Sequence, residues 1–181
     1  RDYYASRGLG DVYKRQEEYQ WAGPYLYSRQ VVAVRSDSDI YTLQDLAGKV
    51  VAVQSTTKPE ELFLNAEQNG LPRLRRLYSL QNRDLIYTTL IKGYADALAT
   101  HESAIRQFMK DYSVEYRILD EPLMTARLGV AFSKNRSDDL PQQLTEVFQE
   151  MLADGTVRQI VSHYLDDPEH YLDGLEDSTH A

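Results

Sequence analysis

Short apolar runs alternate with amphipathic stretches from about residue 29 to residue 165. Residues 29–36 (RQVVAVRS) are rich in β-branched side chains and predict a strand. Thr42-Leu-Gln-Asp45 has the form of a capping box opening a short helix, which Gly48 closes. Lys49–Gln54 (KVVAVQ) is a continuous apolar run, the pattern of a strand buried on both faces. It ends in Ser55-Thr56-Thr57-Lys58-Pro59-Glu60. Pro near the first helical position, with Thr57 three residues before Glu60, marks a helix start. That helix is predicted to end near Asn69-Gly70. Leu74–Ser79 predicts a short strand. Asn82–Lys92 predicts a helix with Leu85, Ile86, Leu90 and Ile91 inward, and Gly93 at its end.

Asp96–Thr100 (DALAT) predicts a strand and His101–Tyr112 a helix with Ile105, Phe108 and Met109 inward. Glu115–Leu119 and Leu128–Ser133 are two further predicted strands. The clearest helix starts at Asp138, Asp139 and Pro141, with Leu144, Val147, Phe148, Met151 and Leu152 at helical spacing. Gly155 stops it. Thr156 opens another helix carrying Val157, Ile160, Val161, Tyr164 and Leu165. From Asp166 the tail is acidic and predicted to be loosely ordered. Strands alternating with helices across short connections predict an α/β fold with a mostly parallel sheet.

Composition narrows the function classes. The chain has 181 residues, 42 % of them apolar, and a formal charge of −8. An acidic chain lacks the basic face that phosphate contacts need, so nucleic acid is not an expected partner. No run of about 18 apolar residues is present to span a membrane. There is no cysteine, which excludes disulfides, thiol catalysis and cysteine-ligated zinc. The chain begins at Arg1 without a signal-peptide pattern, which reads as a processed or truncated N-terminus. Residues 1–16 hold four basic and two acidic side chains, whereas the other 165 hold 16 and 26. With that shift of charge and no periodicity, RDYYASRGLGDVYKRQ reads as a non-native segment resembling translated sequencing-adapter read-through. A genuine N-terminal arm is the alternative.

From about Trp21 to Leu165 the order of motifs resembles the second part of an amino-acid-type (family 3) periplasmic binding protein, one of the bacterial extracellular solute-binding proteins. The resemblance rests on five segments. These are Trp21-Ala22-Gly23-Pro24-Tyr25 before a strand, Leu43-Gln-Asp-Leu46-Ala-Gly48-Lys49-Val-Val51-Ala-Val53, and Ser55-Thr56-Thr57 with Glu60-Glu61. The last two are Lys92-Gly93-Tyr94-Ala95-Asp96-Ala97 and the turn Ala153-Asp154-Gly155-Thr156. The resemblance implies a type II periplasmic-binding-protein-like α/β fold with one complete lobe, the C-terminal part of the other, and two hinge-crossing strands. Residues 36–125 are then lobe 2, residues 17–35 and 126–165 a remnant of lobe 1 with the hinge strands, and residues 166–181 an acidic tail. The family's first segment, with its ligand-stacking aromatic and carboxylate-pairing Arg, has no counterpart in the chain.

The implied function is extracytoplasmic binding of a small polar solute, an amino acid or related compound, for delivery to an ABC importer. The implied partners are the small-molecule ligand and a transporter permease, with the protein a monomer. It would be periplasmic or extracellular, with lipid anchoring open for the full-length form. A ligand-sensing domain of a membrane signalling protein and a dehydratase-type enzyme on the same fold are the alternatives. No nucleophile elbow, Gly-rich phosphate loop or paired acid/base carboxylates occur, so no catalytic residue is assigned and no cofactor is expected. His101, His163, His170 and His180 lack ligand spacing, so no metal site is assigned.

The expected ligand-binding residues are Tyr25, Tyr27, Ser55, Thr56, Thr57, His101 and Glu102. A helix N-terminus with free N–H groups and nearby hydroxyls suits an anion, which points to Ser55, Thr56 and Thr57. The residues alone fit Thr57 as a plain helix cap, and it is the resemblance that turns the reading toward binding. At the end of the DALAT strand the family places an Asp for the ligand's ammonium; here His101 stands there with Glu102 next. Both also fit water-facing residues of a helix start. Tyr25 and Tyr27 are assigned to the cleft beside the hinge, and Asp96 to structure.

Overall fold

Val31 to Val34, Val50 to Val53 and Ala97 to Thr100 are buried at every position. Successive strand side chains point to opposite faces, so runs of this kind need cover on both sides. The computed structural model, which describes residues 19–172 and residue 175, supplies it. Its described strands are β1 (Tyr19–Arg35), β2 (Val50–Gln54), β3 (Arg76–Leu80), β4 (Ala97–His101), β5 (Tyr116–Ile118) and β6 (Met124–Ser133). The helices are α1 (Lys58–Leu64), α2 (Arg83–Ile91), α3 (Glu102–Tyr112), α4 (Leu140–Ala153), α5 (Thr156–Ser162) and α6 (Glu169–Leu172). The chain divides into two compact units: Arg29–Thr125, and the described parts of Arg1–Ser28 with Ala126–Ala181. The first division falls inside β1, whereas the sequence pattern drew it at 35/36.

In the 29–125 unit the strand order is β3-β2-β4-β1-β5. β2 runs parallel to β3 and β4, while β1 is antiparallel to β4 and β5. The sheet is therefore mixed rather than mostly parallel. The connection from β1 to β2 holds only a 3-10 turn, Leu43–Leu46, which reverses the chain without a crossover helix. One face, with Val31, Ala33, Val50, Ala52 and Leu98, is covered by Ile86, Tyr87 and Leu90 of α2 and Ile105 of α3. The other face, with Val32, Val34, Val51, Val53 and Ala99, is covered by Ile40, Leu43, Leu46 and by Phe63 of α1. The capping box at Thr42 forms as its residues predict: the Asp45 carboxylate accepts from the Thr42 N–H at 2.8 Å.

Asp96 has a structural role. Its Oδ2 accepts from the Val50 N–H at 2.7 Å, and its own N–H donates to the Val50 carbonyl at 2.8 Å. This double clasp sets the parallel register of β2 on β4. In α2 only Ile86, Tyr87 and Leu90 are buried; Leu85 and Ile91 are exposed, contrary to the inward set read from the sequence. One narrow face meets the sheet, and Tyr87 takes the place assigned to an aliphatic neighbour. Its ring stacks on Phe108 at 4.0 Å.

In the other unit, β6 pairs with β1. Gly129 makes that pairing possible, because a Cβ there would lie 2.7 Å from the Ala22 carbonyl oxygen. The Gly23–Pro24 bond is cis. Leu152, Val157 and Val161 form a cluster with Leu172 and Leu175. The start of the tail is thus packed, not loose: Tyr171 and Leu172 of α6 are buried, and so is Leu175. Val147 of α4 is 45 % exposed, so the apolar stripe of that helix is wider than the face it buries. The segment 1–16 lies outside the described residues. Among the described residues no helix is long and apolar enough to cross a membrane.

Replacing Asp96 by Ala leaves the partly buried Val50 N–H without its acceptor. The expected loss is about 1–3 kcal/mol, read as a lower urea midpoint at unchanged m-value.

Candidate functional site

The C-terminal ends of β2 and β4 are neighbours, with Val53 opposite Ala99. Because β1 is antiparallel to β4, its Gln30 lies opposite His101 at the same edge. Ser55, Thr56, Thr57, His101 and Glu102 are therefore gathered at one edge of a single sheet, as α/β folds gather ligand groups. Tyr25 and Tyr27 belong to the other unit. There the Tyr25 ring meets Phe148 at 5.2 Å, and Arg127 lies over the Tyr27 ring at 5.9 Å. Tyr27 also packs on the Leu152–Val161 cluster.

The turn after β2 satisfies much of its own polarity. The Ser55 N–H donates to the Leu80 carbonyl at 2.9 Å, and the Thr57 hydroxyl donates to the Gln54 carbonyl at 2.5 Å. Thr57 occupies the N-cap of α1, but its side chain makes no cap hydrogen bond. The Thr56 N–H donates to the Glu60 carboxylate at 2.6 Å, and the Ser79 hydroxyl donates to the other oxygen of that carboxylate. The helix's own acid thus takes up the Thr56 N–H that the sequence pattern offered to a ligand. Thr56 has φ 59°, a left-handed conformation uncommon for a non-glycine residue and frequent at functional turns.

The other half of the edge is an ionic network. Glu102 is 2 % exposed. Its Oε1 accepts from Arg106 Nε at 2.9 Å and Nη2 at 2.7 Å, and Arg29 Nε stands 3.6 Å from its Oε2. Arg29 also donates to the Asp120 carbonyl at 3.4 Å. A buried carboxylate needs such answering cations. The contribution of Arg106 is legible in the sequence as an i,i+4 pair; that of Arg29 is not, because only the β1–β4 register brings it there.

Sequence reasoning also missed Gln30, Gln54 and Arg83. Gln30 Nε2 lies 3.0 Å from the His101 ring nitrogens. Arg83 Nε donates to Gln54 Oε1 at 3.3 Å, and Gln54 Nε2 donates to the Gln81 carbonyl at 3.3 Å. Burial, and secondarily the charge of Arg83, hold the His101 imidazole below its ordinary value of 6.5. Chemically the edge offers amide, hydroxyl and imidazole groups around an internally paired charge cluster. Among the described residues no group of three His, Cys, Asp or Glu side chains could hold a metal ion.

A mixed α/β unit with polar groups collected at its parallel-strand ends defines a periplasmic-binding-protein-like fold, and comparison with known proteins agrees. Residues 19–168 match the family described as ABC transporter, phosphonate, periplasmic substrate-binding protein, and the chain belongs to that family. It is 32 % identical to the histidine-binding periplasmic protein of Escherichia coli over 162 residues, covering 84 % of this chain and 60 % of that one. It is 27 % identical over 148 residues to the putative amino-acid ABC transporter-binding protein PatH of Vibrio harveyi, covering 81 % and 58 %. The chain thus spans about three fifths of the length of these curated relatives. Among solved structures, the substrate-binding protein of an amino acid ABC transporter superposes with TM-score 0.64 at 25 % identity, covering 85 % of this chain and 66 % of that one. The probable amino-acid ABC transporter extracellular-binding protein ytmK of Bacillus subtilis superposes with TM-score 0.73 at 23 % identity, covering 87 % and 68 %. The family read from the five motifs is therefore the right one.

The depressed His101 value has a thermodynamic consequence. Above about pH 6.5 both folded and unfolded chains hold the imidazole neutral. Below it the unfolded chain binds the proton first, so stability falls as pH drops until the folded value is passed. The melting temperature is expected to fall more between pH 7 and pH 5 in the parent than in His101→Asn. Truncating the buried acid, Glu102→Ala, is expected to cost about 3–5 kcal/mol in denaturant unfolding by leaving Arg29 without its carboxylate.

Proposed function

We propose that this chain is part of an extracytoplasmic receptor that binds a small polar solute, an amino acid or a related compound, and delivers it to the permease of an ABC importer. The observation that supports this best is the gathering of Ser55, Thr56, Thr57, His101 and Glu102 at the C-terminal ends of β2 and β4. The family match and the names of the relatives give the solute its class and the receptor its partner. In this reading the chain is a binder rather than a catalyst, and a monomer without nucleic-acid partners. The receptor works in the periplasm or outside the cell, lipid-anchored in forms that carry an anchor. Residues 29–125 act as one solute-binding lobe. The other unit carries Tyr25 and Tyr27.

A solute held by one lobe keeps a face in water. Each lost charged hydrogen bond is worth roughly 1.5–3 kcal/mol, so losing two lowers affinity by about two to four decades. Calorimetry and amide chemical-shift titration with a panel of amino acids test this. The expected result is weak binding by this chain, in the millimolar range against a micromolar-class site in a form as long as the relatives, with shifts at Ser55–Thr57 and His101–Glu102. Thr57→Ala and His101→Ala are each expected to weaken binding about tenfold. Affinity unchanged in both variants would remove the site from this edge.

A further inference from the structure

The sheet of the 29–125 unit ends on one flank at β3. Among the described residues its five residues pair with β2 alone. The Arg76 N–H donates to the Lys49 carbonyl and the Leu80 carbonyl accepts from the Ser55 N–H, so residues 76, 78 and 80 turn their backbone groups toward β2. Backbone groups alternate in side along a strand, so those of Leu77 and Ser79 turn outward. An open row of this kind is a template for one more strand. Arg76 stands opposite Val50 at the start of β2, whereas the candidate solute site follows the end of β2 at Gln54. The flank and the solute site are therefore separate places on the unit.

The side chains along the flank decide what it admits. Arg73, Arg75 and Arg76 are all exposed, and among the described residues none of them forms an ion pair. By contrast Arg29, Arg35, Lys49, Lys58 and Arg106 each face a carboxylate. The backbone that carries the three arginines is pinned. The Gly48 N–H donates to the Arg73 carbonyl at 2.9 Å, and the Arg75 N–H to the Lys49 carbonyl at 2.9 Å. The Arg76 guanidinium lies over the Tyr78 ring at 5.7 Å, which keeps it along the strand. In a chain with a formal charge of −8 this is a local reversal of sign.

We propose that β3, with Arg73, Arg75 and Arg76, is a docking flank for an acidic, extended peptide segment of a partner protein, which joins the sheet as an added strand. Such a segment answers both features at once. Its backbone meets the outward groups of Leu77 and Ser79, and its carboxylates meet the arginines, since opposite charges facing across neighbouring strands attract. The same arginines turn other occupants away. A second copy of this chain would bring its own three arginines to the contact, and a neutral strand would leave them unanswered. An anionic bilayer answers the charges, but clusters that bind one hold about four to eight basic residues. Neither a bilayer nor a nucleic-acid backbone makes use of the open strand.

Amide NMR titration of the full chain with a blocked heptapeptide of alternating glutamate and threonine tests this. The expected result is a set of shifts centred on Leu77 and Ser79, slower hydrogen exchange at both N–H groups, and affinity that weakens about fivefold as salt is raised. The double substitution Arg75→Ser with Arg76→Ser is expected to weaken binding about tenfold. The lysine–threonine counterpart is expected not to bind. The acidic peptide N-methylated throughout keeps its charges but has no amide donors, and is expected to lose binding. Equal binding by the methylated peptide would leave charge attraction alone and overturn the proposal. Failure of the acidic peptide to bind overturns it too, as do shifts that spare Leu77 and Ser79, tighter binding to phosphatidylglycerol vesicles, or a dimer in sedimentation that the two serine substitutions abolish. If the double substitution fails to fold, the parent with the three peptides still decides.

Discussion

A carboxylate held 2 % exposed is the constraint on which the edge depends. Glu102 opens α3 directly after β4, so its charge is fixed at the point where strand becomes helix. Burial of that charge is tolerable only with close cations, and the fold supplies them from two directions. Arg106 comes from one turn further along the same helix, and Arg29 from the antiparallel neighbour β1. The pairing ties the entry of β1 into this unit to the exit of β4. It also sets where Gln30 and His101 stand, because they flank the two residues that make it.

Below that edge, the sheet is held by burial on both faces and by the Asp96 clasp on Val50. These are different physical devices. Apolar cover supplies most of the driving force but tolerates sliding between strands. A charged acceptor on one backbone N–H does not tolerate it, since a slip of one residue would unmake the bond and turn every side chain to the wrong face. The unit can therefore present polar turns at one end, such as the left-handed Thr56, while its centre stays in register.

The edge holds hydrogen-bonding groups beside a paired charge cluster. Glu102 is paired with Arg106 and Arg29, and burial, then the charge of Arg83, holds the His101 imidazole below its ordinary value. Family membership explains why such groups gather at the ends of parallel strands, yet it leaves the solute open. The family description speaks of phosphonate, while the named relatives include a histidine-binding protein and a putative amino-acid-binding one. What this chain would choose is a matter of its own side chains.

Much of the fold was legible because the relevant signals are local. The doubly buried strands announce themselves as unbroken apolar runs, the Thr42 box and Pro59 mark helix starts, and five ordered motifs carried the family. The errors have a common cause. Leu85, Ile91 and Val147 fit the helical period but stand outside the narrow faces that other elements cover, and the tail's Tyr171, Leu172 and Leu175 find a partner cluster that no local pattern reveals. At the candidate site, Ser55 to Thr57 could be picked out because they end a strand and open a helix, and His101 with Glu102 through the family resemblance. Arg29, Gln30 and Arg83 could not, since each reaches the edge through pairing with residues far along the chain. The sequence by itself determined which strands are buried on both faces and where they end. Only the tertiary structure decided which charges cancel there, because cancellation depends on distances of a few ångströms between residues that the chain order keeps apart.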